Sequence, residues 1–415
     1  MKYALINCYS DYNKGDLGII LSTVKFIREN DADANIVGVS TYNYSDPQFF
    51  TDHTLLKKEL PVYSSIFGEL NIGKNKSSIA KLVRFVFDSI RLLLFMVFPS
   101  KRLFSDKERE TYEVLKEADY IISKGGSFIC DENDIRVKIS LLRLLYIFIL
   151  SIRACKKSKL IVLCQSLGPV YGKLGRVLVN YVLKHCHYIV LREDTCIQQY
   201  PYLKVPADKK IVFNDIAFFL DSDWDNRIDK KLLFSGEFKV GITIKTVSLD
   251  KQQEYREMMK RAIEYLASKY NAAIYIFPHV TVDDDLQASF EVYKLIDDKQ
   301  KENIHILTNN YSSRELKSFY GMMDFMISTR LHSAIFAIGE GVPAINIAYH
   351  GTKSQGIYAN MHLSNLMIDS YSSEKLICLI DDVVLNKTSY KRTISERMGY
   401  YESEQIVLYK KVFLE

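Results

Sequence analysis

Short apolar runs alternate with longer runs whose apolar positions recur at helical spacing along most of the chain. The short runs predict buried strands and the longer runs predict helices. This alternation is typical of βαβ units in parallel sheets. The predicted strands are Tyr3–Asn7, Asn35–Ser40, Asp119–Ser123, Leu160–Cys164, Tyr188–Leu191, Ile211–Phe213, Val240–Ile244, Ala272–Phe277, Ile304–Leu307, Phe325–Ile327 and Ala344–Ile347. The predicted helices include Leu17–Arg28, Gln252–Lys269, Leu286–Asp297, Ser313–Gly321 and Leu331–Ile338.

A polar stretch with weak periodicity, Asp221–Glu237, separates two such series and predicts a linker between domains. A chain of 415 residues is long enough for two domains. We therefore predict an N-terminal Rossmann-like domain over 1–222, a C-terminal one over 237–390, and a terminal helix over 391–415. Strand-end residues that carry chemistry occur in both halves, as in a GT-B-like fold whose two domains face each other across a cleft.

Two apolar segments, 78–104 and 135–157, also carry several lysines and arginines. The longest uncharged stretch of the first, Leu92–Ser100, is far shorter than the ~20 residues of a membrane span. One interpretation is two buried helices of a large domain. The other is a basic, apolar surface that lies on a membrane.

Composition narrows the class of protein. The net charge of +5 permits anionic ligands. The sequence has no basic patch with interleaved aromatic residues, so we expect no nucleic-acid partner. The seven cysteines are odd in number and form no CxxC pair, which favours reduced thiols and a cytoplasmic protein. The strand-like start, Met1–Asn7, is too short for a signal peptide. No histidine, cysteine or acidic cluster has the spacing of a metal site.

The candidate chemistry centres on Arg330 and His332. They fall between the strand Phe325–Ile327 and the next helix, with Ser328 and Thr329 as predicted N-caps. The N-terminus of a helix at the carboxyl edge of a parallel sheet favours an anion. Arg330 adds a guanidinium fork suited to carboxylate or phosphate, His332 adds a proton donor, and Lys353 follows the next strand within reach of the same anion.

Other polar or glycine-containing turns also follow predicted strands. Glycines at such positions let the backbone approach a ligand closely. These residues are Gly125, Gly126, Ser127 and Asp131 after one strand, Gln165 and Ser166 after another, Arg192, and His279. Asp16 lies at the start of the first helix as an N-cap or a ligand contact. Asp283 to Asp285 are interpreted as stabilising a helix N-terminus.

In order along the chain, these pieces resemble the polysaccharide pyruvyl transferase family. The arginine-leucine-histidine-serine segment with its following strand is the most specific part. One departure is Ile216, where the family commonly has proline after the aspartate. The matching pieces are Asn13-x-Gly15-Asp16, Gly125-Gly126-Ser127 with Asp131, Gln165 to Pro169, Arg192, Asp215, Arg330-Leu331-His332-Ser333, Gly341-Val342-Pro343, and Tyr349 with Lys353 and Gly356.

The resemblance implies a GT-B-like fold and a reaction that uses phosphoenolpyruvate as donor, with no cofactor and no metal. Pyruvate would be attached as a cyclic ketal to a sugar of a surface polysaccharide or its lipid-linked precursor, with release of phosphate. Carried over from the family, Arg192, Arg330, Leu331 and His332 are associated with the donor. His332 is our candidate acid, and Asp16 and Asp131 are candidates for the base or for sugar binding.

Two alternatives stay open at this point. The chain is a GT-B glycosyltransferase that uses a nucleotide sugar, or a non-catalytic sugar-phosphate-binding component of a polysaccharide assembly complex. If the chain is a pyruvyl transferase, we predict a cytoplasmic enzyme. The membrane interpretation of segments 78–104 and 135–157 adds peripheral contact with the inner face of the cell membrane.

Overall fold

The computed structural model describes residues 1–68, 78–223, 238–348 and 353–415. Within them the chain divides into two compact units. The first unit comprises Met1–Asp11, Ile19–Ile216 and Gln405–Glu415, and the second comprises Tyr12–Gly18 and Ala217–Glu404. A short early segment thus belongs to the second unit, and the end of the chain belongs to the first. Neither unit is therefore one continuous stretch of sequence.

The first unit is built on a parallel sheet. Its described strands are β1 (Lys2–Cys8), β2 (Asn35–Ser40), β3 (Val62–Tyr63), β4 (Tyr120–Ser123), β5 (Gly126–Ile129), β6 (Lys159–Leu167), β7 (Tyr188–Leu191) and β8 (Lys210–Val212). They are ordered β3-β2-β1-β4-β6-β7-β8, and β5 pairs with β6. Helix α1 (Lys14–Asn30) begins in the second unit and continues in the first from Ile19. The other helices of the first unit are α2 (Gln48–Thr51), α3 (Leu56–Glu59), α4 (Ser78–Val97), α5 (Asp106–Glu117), α6 (Ile135–Ala154), α7 (Lys173–His185) and α8 (Thr195–Gln199).

The second unit repeats this architecture. Its described strands are β9 (Lys239–Thr243), β10 (Ala273–Ile276), β11 (Ile304–Ile306), β12 (Phe325–Ser328), β13 (Ala344–Ile347) and β14 (Met367–Ile368). They pair in parallel in the order β11-β10-β9-β12-β13-β14. The helices are α9 (Gln252–Tyr270), α10 (Asp285–Tyr293), α11 (Ser313–Gly321), α12 (Leu331–Gly339), α13 (Lys353–Asn360) and α14 (Ser373–Tyr409).

The predicted parallel α/β class is confirmed. Strands β2, β7 and β13 and helix α11 have the predicted bounds, because a continuous apolar run between turn residues marks a strand buried on both faces. The pattern missed β3 and β14, which are two residues long, and α5 and α7, whose polar faces hid their apolar positions. The predicted linker falls largely on 224–237, outside the described residues.

The end of the chain anchors the first unit. Tyr409 hydrogen-bonds through its hydroxyl to the hydroxyl of Tyr3 at 2.8 Å. Phe413 packs edge-on against Tyr3 and Tyr120, with ring centroids 5.7 and 5.1 Å apart. Helix α14 has non-helical backbone at Asn386, so its second part begins close to the predicted start at 391. Tyr409 at its end and Phe413 beyond it complete a core on β1 and β4.

Helices α4 and α6, the two apolar basic segments, differ in their environment. Leu145, Phe148 and Leu150 of α6 are fully buried, so the buried-helix interpretation holds for α6. Helix α4 ends at Val97 and leaves many apolar side chains exposed. No helix in the described parts of the chain combines the length and apolar character that crossing a membrane requires.

Asp88 of α4 lies inside the first unit and forms a buried ion pair with Arg143 of α6; both side chains are at most 5% exposed. Arg143 also donates to the carbonyl oxygen of Gly68. Replacing Asp88 by Ala leaves a buried guanidinium without its counter-ion. We expect the free energy of unfolding to fall by about 3–5 kcal/mol, measured by chemical denaturation. The exposed pair of Glu110 with Lys107 is the control: Glu110→Ala should leave stability nearly unchanged. Equal losses in the two variants would contradict this role for Asp88.

Candidate active site

The second sheet changes direction of winding between β9 and β12, which are neighbours in the sheet but distant in sequence. Ligands of such sheets bind outside the carboxyl ends of the strands at this switch point. Lys245 lies just beyond β9 and Arg330 just beyond β12, while His279 follows β10 on the other side of β9. The predicted strand-end position of Arg330 is confirmed.

The turn from β12 into α12 is held by hydroxyl groups. Arg330 is the N-cap residue of α12, so the prediction of Ser328 and Thr329 as caps was wrong. Strand β12 runs on through Ser328. The Thr329 hydroxyl instead donates to the carbonyl oxygen of Thr243 at 2.9 Å. The Ser333 hydroxyl donates to the Arg330 carbonyl at 2.6 Å. These bonds tie the start of α12 to the end of β9.

Two aspartates fix the guanidinium of Arg330. Its Nη1 donates to Asp283 at 2.9 Å, and its Nε donates to Asp285 at 3.2 Å with Nη2 as a second contact to the same carboxylate. Asp285 also accepts the backbone N–H groups of His279 and Val280, at 3.2 and 2.8 Å. Burial raises the pKa of Asp285, and Arg330 and these N–H groups offset the rise only in part. One buried carboxylate therefore positions both Arg330 and the turn after β10. Sequence reasoning had given these aspartates only a helix-terminal role.

Lys245 was missed by the sequence analysis, although it follows a strand just as Arg330 does. Burial, and then the positive charge of Arg330, lower the pKa of Lys245 to about 8, while Asp283 and Asp285 act in the opposite direction. Lys245 lines a cavity of about 380 Å³ together with Thr246, Ser248, Lys251 and Tyr371, among others. The carboxylates of Glu254 and Asp369 line the same cavity, so its two ammonium groups are balanced by two acidic groups.

His332 packs against the early segment Tyr12–Gly18. A Cβ built on Gly15 would lie 2.3 Å from His332 Nδ1, so only glycine fits beside the ring. Asn13 forms a bridge with Val280, and the Ser313 hydroxyl donates to the Lys14 carbonyl at 2.7 Å. The structure thus brings the predicted Asn13-x-Gly15-Asp16 motif to the predicted His332. Asp16 lies in the first turn of α1, where its carboxylate accepts from the Asn13 amide at 2.7 Å.

His279 is a buried neighbour of the same group of side chains. Its Nδ1 lies 3.0 Å from the Tyr320 hydroxyl. Burial holds the pKa of His279 well below its usual value, and the nearby His332, Arg330 and Lys14 lower it further. A histidine in this environment is neutral near pH 7, which makes it a hydrogen-bonding group and a poor acid.

The predicted candidates of the first unit lie near the carboxyl ends of β4, β6 and β7. Arg192 is 1% exposed; its Nη1 donates to Asp215 at 2.6 Å and its Nε donates to Ser166 Oγ at 2.7 Å. The guanidinium of Arg192 thus points inward, away from the adjacent Glu193 and Asp194, and forms a buried ion pair with Asp215.

The remaining candidates of the first unit lie in or near the same strands. Gln165 and Ser166 are inside β6, which runs on to Leu167, so their predicted position after the strand was wrong. The Gln165 amide donates to the Ser166 carbonyl at 2.8 Å. Gly126, with φ of +130°, begins β5 instead of lying in a loop, and a Cβ on Gly125 would lie 2.7 Å from the Cys164 carbonyl oxygen. Ser127 continues β5. Asp131 accepts the backbone N–H groups of residues 171 and 172 at 2.5 and 3.1 Å, which anchors the start of α7.

Three further candidates lie in the second unit. Leu331 is the first residue of α12, and Lys353 and Gly356 lie in the first turn of α13. Tyr349 and His350 lie outside the described residues. Within the described ranges, no three His, Cys, Asp or Glu side chains come together in a way that could hold a metal ion.

These strand-end motifs agree with a comparison against protein families. The sequence model of a family described as polysaccharide pyruvyl transferase matches residues 13–351. The chain belongs to the polysaccharide pyruvyl transferase family. The match begins at Asn13, in the segment that packs on His332, and takes in every predicted site residue except Lys353 and Gly356.

The chain is also similar to a protein of amylovoran biosynthesis. The amylovoran biosynthesis protein AmsJ of Erwinia amylovora is 22% identical over 98% of this chain and 97% of its own length. Solved structures extend the likeness to the fold. Anabaena Alr3699/HepE, solved with UDP-glucose, has a TM-score of 0.59 at 11% identity, covering 99% of this chain and 98% of its own. MnaA of S. aureus, solved with UDP, has a TM-score of 0.58 at 10% identity, covering 100% and 98%. The predicted GT-B-like fold with two Rossmann-like domains is confirmed.

The pKa of Lys245 provides a test of the charge arrangement. Replacing Arg330 by Gln removes a neighbouring positive charge and leaves Asp283 and Asp285 to act on Lys245, so its pKa should rise above about 8. Reductive ¹³C-methylation followed by NMR titration measures this directly. Arg261→Gln, which removes an exposed arginine of α9 paired with Glu374, is the control and should leave the titration of Lys245 where it is. An unchanged or lower pKa in the Arg330 variant would show that the two cations do not interact.

Proposed function

We propose that the protein transfers pyruvate from phosphoenolpyruvate to a sugar of a surface polysaccharide or of its lipid-linked precursor, as a cyclic ketal, with release of phosphate. The family match over 13–351 carries the proposal. The relation to an amylovoran biosynthesis protein supports a polysaccharide acceptor. The neighbours solved with UDP or UDP-glucose are only 10 and 11% identical, so they support the fold and leave the donor to be argued from the site.

The donor brings two anionic groups, a carboxylate and a phosphate, to be neutralised. Arg330, Lys245 and the N-terminus of α12 supply positive charge at the carboxyl edge of the second sheet. Arg330 is held rigidly by Asp283 and Asp285, so little side-chain freedom is lost when it binds a ligand. Lys353 follows β13 and adds a further cation in our proposal.

The chemistry requires an acid and a base. A proton is added to the methylene carbon of the donor, which becomes the methyl group of the product, and the adjacent carbon becomes electron-poor. One sugar hydroxyl and then a second form bonds to that carbon, while its bond to the phosphate oxygen breaks. The two hydroxyl protons balance the one gained by the methyl group and the one carried away by phosphate. We assign His332 as the acid that delivers the first proton.

Asp16 suits the base better than Asp131 does. Asp16 belongs to the segment whose Gly15 touches the ring of His332. Asp131 is buried, and its carboxylate already accepts two backbone N–H groups at the start of α7, so we assign it a structural role. We assign sugar binding or donor binding in the first unit to Arg192, Gln165, Ser166 and the turn Gly125 to Ser127.

The proposal includes a cytoplasmic position for the enzyme, at the inner face of the cell membrane when its acceptor is lipid-linked. No resident cofactor or metal enters the scheme, because the donor itself carries the phosphate leaving group.

The donor decides between the proposed activity and its alternatives. We expect phosphoenolpyruvate to raise the thermal unfolding temperature more than UDP does, because only a bound ligand stabilises the folded state. With a panel of free and lipid-linked glycans, the enzyme should release phosphate and increase the acceptor mass by one pyruvate less one water, read by mass spectrometry. Stabilisation by UDP alone, with sugar transfer, would establish a glycosyltransferase. Stabilisation without turnover on any acceptor would support a binding component.

Two substitutions should separate binding from chemistry. A glutamine at position 332 keeps a polar side chain but cannot protonate carbon, so His332→Gln should retain donor affinity and lower turnover by about 10²–10⁴-fold. Arg330→Ala should instead weaken donor binding by roughly 1.5–3 kcal/mol, the range for hydrogen bonds to charged groups. Isothermal titration and phosphate-release kinetics measure the two quantities separately.

Arg261→Ala is the matched control for arginine removal and should change neither quantity. Thermal unfolding of each variant must accompany the assay, because Asp285 loses a buried partner in Arg330→Ala. Parental turnover in His332→Gln would remove His332 from the mechanism. His279 is then a weak replacement, since burial keeps it neutral.

A further inference from the structure

Three of the four charged residues of helix α4 face the interior of the first unit, while many of its apolar residues face solvent. Arg84 donates to the buried Asp46 at 3.1 Å, and Arg91 donates to Glu108 at 2.6 Å. Asp88 pairs with Arg143 within the first unit. A helix that faces water has the reverse arrangement, with its charges toward solvent.

The opposite face of α4 carries large apolar side chains that are mostly solvent-exposed. Leu82, Val83, Phe87, Leu93 and Val97, together with Phe98 just beyond the helix, are each between 54% and 68% exposed. Their spacing places them along one side of a helix about 30 Å long. Apolar patches of this extent on a folded protein mark a binding surface. We call these six residues the outer face of α4.

Positive charge collects at the C-terminal end of this helix. Arg153 of α6 donates to the Met96 carbonyl at 3.1 Å, which brings the end of α6 to the end of α4. The exposed Lys156 and Lys157 follow Arg153 in the chain, and the exposed Lys101 and Arg102 follow Phe98. Lys101 pairs with Glu113 of α5 at 2.8 Å. Arg102, Lys156 and Lys157 are three further exposed cations near this end of the helix.

We propose that the outer face of α4 lies in the headgroup region of an anionic lipid bilayer, with the helix parallel to the membrane plane. Apolar side chains on one side of a helix with basic residues beside them fit this position. Arg84, Asp88 and Arg91 of α4 are paired inside the first unit, so in this proposal the helix rests on the bilayer and does not cross it.

A lipid surface fits this face better than a protein partner does. Interfaces between proteins mix apolar and polar surface and satisfy about one hydrogen bond per 100–200 Å². The outer face offers side chains of Leu, Val and Phe only, and these need no directional partner. The adjacent cations complement the negative charge of phospholipid headgroups. The inference concerns a surface of the first unit and is independent of the proposed reaction.

Sedimentation with vesicles of phosphatidylcholine and phosphatidylglycerol tests this without any substrate. The full chain should sediment with the vesicles at low salt. Phe87→Glu combined with Leu93→Glu places charge on the outer face and should reduce the bound fraction at least about tenfold. Leu249→Glu combined with Leu385→Glu is the matched control, because those leucines are 88% and 83% exposed elsewhere in the chain. The control should bind as the parent does.

A second pair of variants tests the cations. Arg102→Gln and Lys157→Gln should each weaken vesicle binding about fivefold, and added salt should weaken the parent in the same way. Circular dichroism and thermal unfolding confirm that each variant is folded. If the glutamate pair fails to fold, Val83→Ser combined with Val97→Ser makes the same test with smaller changes.

Three results would overturn the proposal. The first is that the parent stays in the supernatant when it is mixed with anionic vesicles at low salt. The second is that the folded glutamate pair binds the vesicles as well as the parent does. The third is that analytical ultracentrifugation shows a dimer for the parent and a monomer for the glutamate pair, while neither binds vesicles. The outer face would then be an interface between copies of this chain.

Discussion

The buried carboxylate of Asp285 is the interaction on which the proposed active site depends. It receives the guanidinium of Arg330 and two backbone N–H groups of the turn after β10. Without it, Arg330 would be a long side chain with many rotamers, and ordering it on a ligand would cost entropy. Burial of a carboxylate is unfavourable, and here several donors offset that cost. Asp285 also holds the guanidinium of Arg330 close to Lys245 and His279. Its own negative charge offsets part of the positive charge there.

Close packing of the early segment on the second unit is a further constraint. His332 sits where Gly15 has no side chain, and Phe336 occupies the equivalent space beside Gly18. Two glycines one helical turn apart therefore let the start of α1 approach α12. This brings the acidic Asp16 and the proposed acid His332 onto neighbouring segments, although more than three hundred residues separate them in sequence.

The fold itself does not distinguish this chain from enzymes with other substrates. Structures solved with UDP or UDP-glucose share it at TM-scores near 0.6 with almost no sequence identity. What differs is the set of side chains at the ends of the strands, since function resides in those positions more than in the scaffold. Helix α4 shows a comparable division: its inward side packs against α6, and its outward side is the surface that we propose contacts lipid.

The sequence by itself determined the alternation of strands and helices, because burial of a parallel sheet on both faces requires continuous apolar runs. It also determined that Arg192, Arg330 and His279 follow strand ends. The glycine at position 125 marks a point where the backbone passes close to a neighbouring strand. Only the tertiary structure decided which charges meet. Asp215 beside Arg192, Asp285 beside Arg330 and Gly15 against His332 are contacts between distant segments, and no local pattern encodes them. The tertiary structure also decided that the apolar residues of α6 are largely buried and many of those of α4 are exposed. The two helices have similar compositions, so composition alone does not distinguish them.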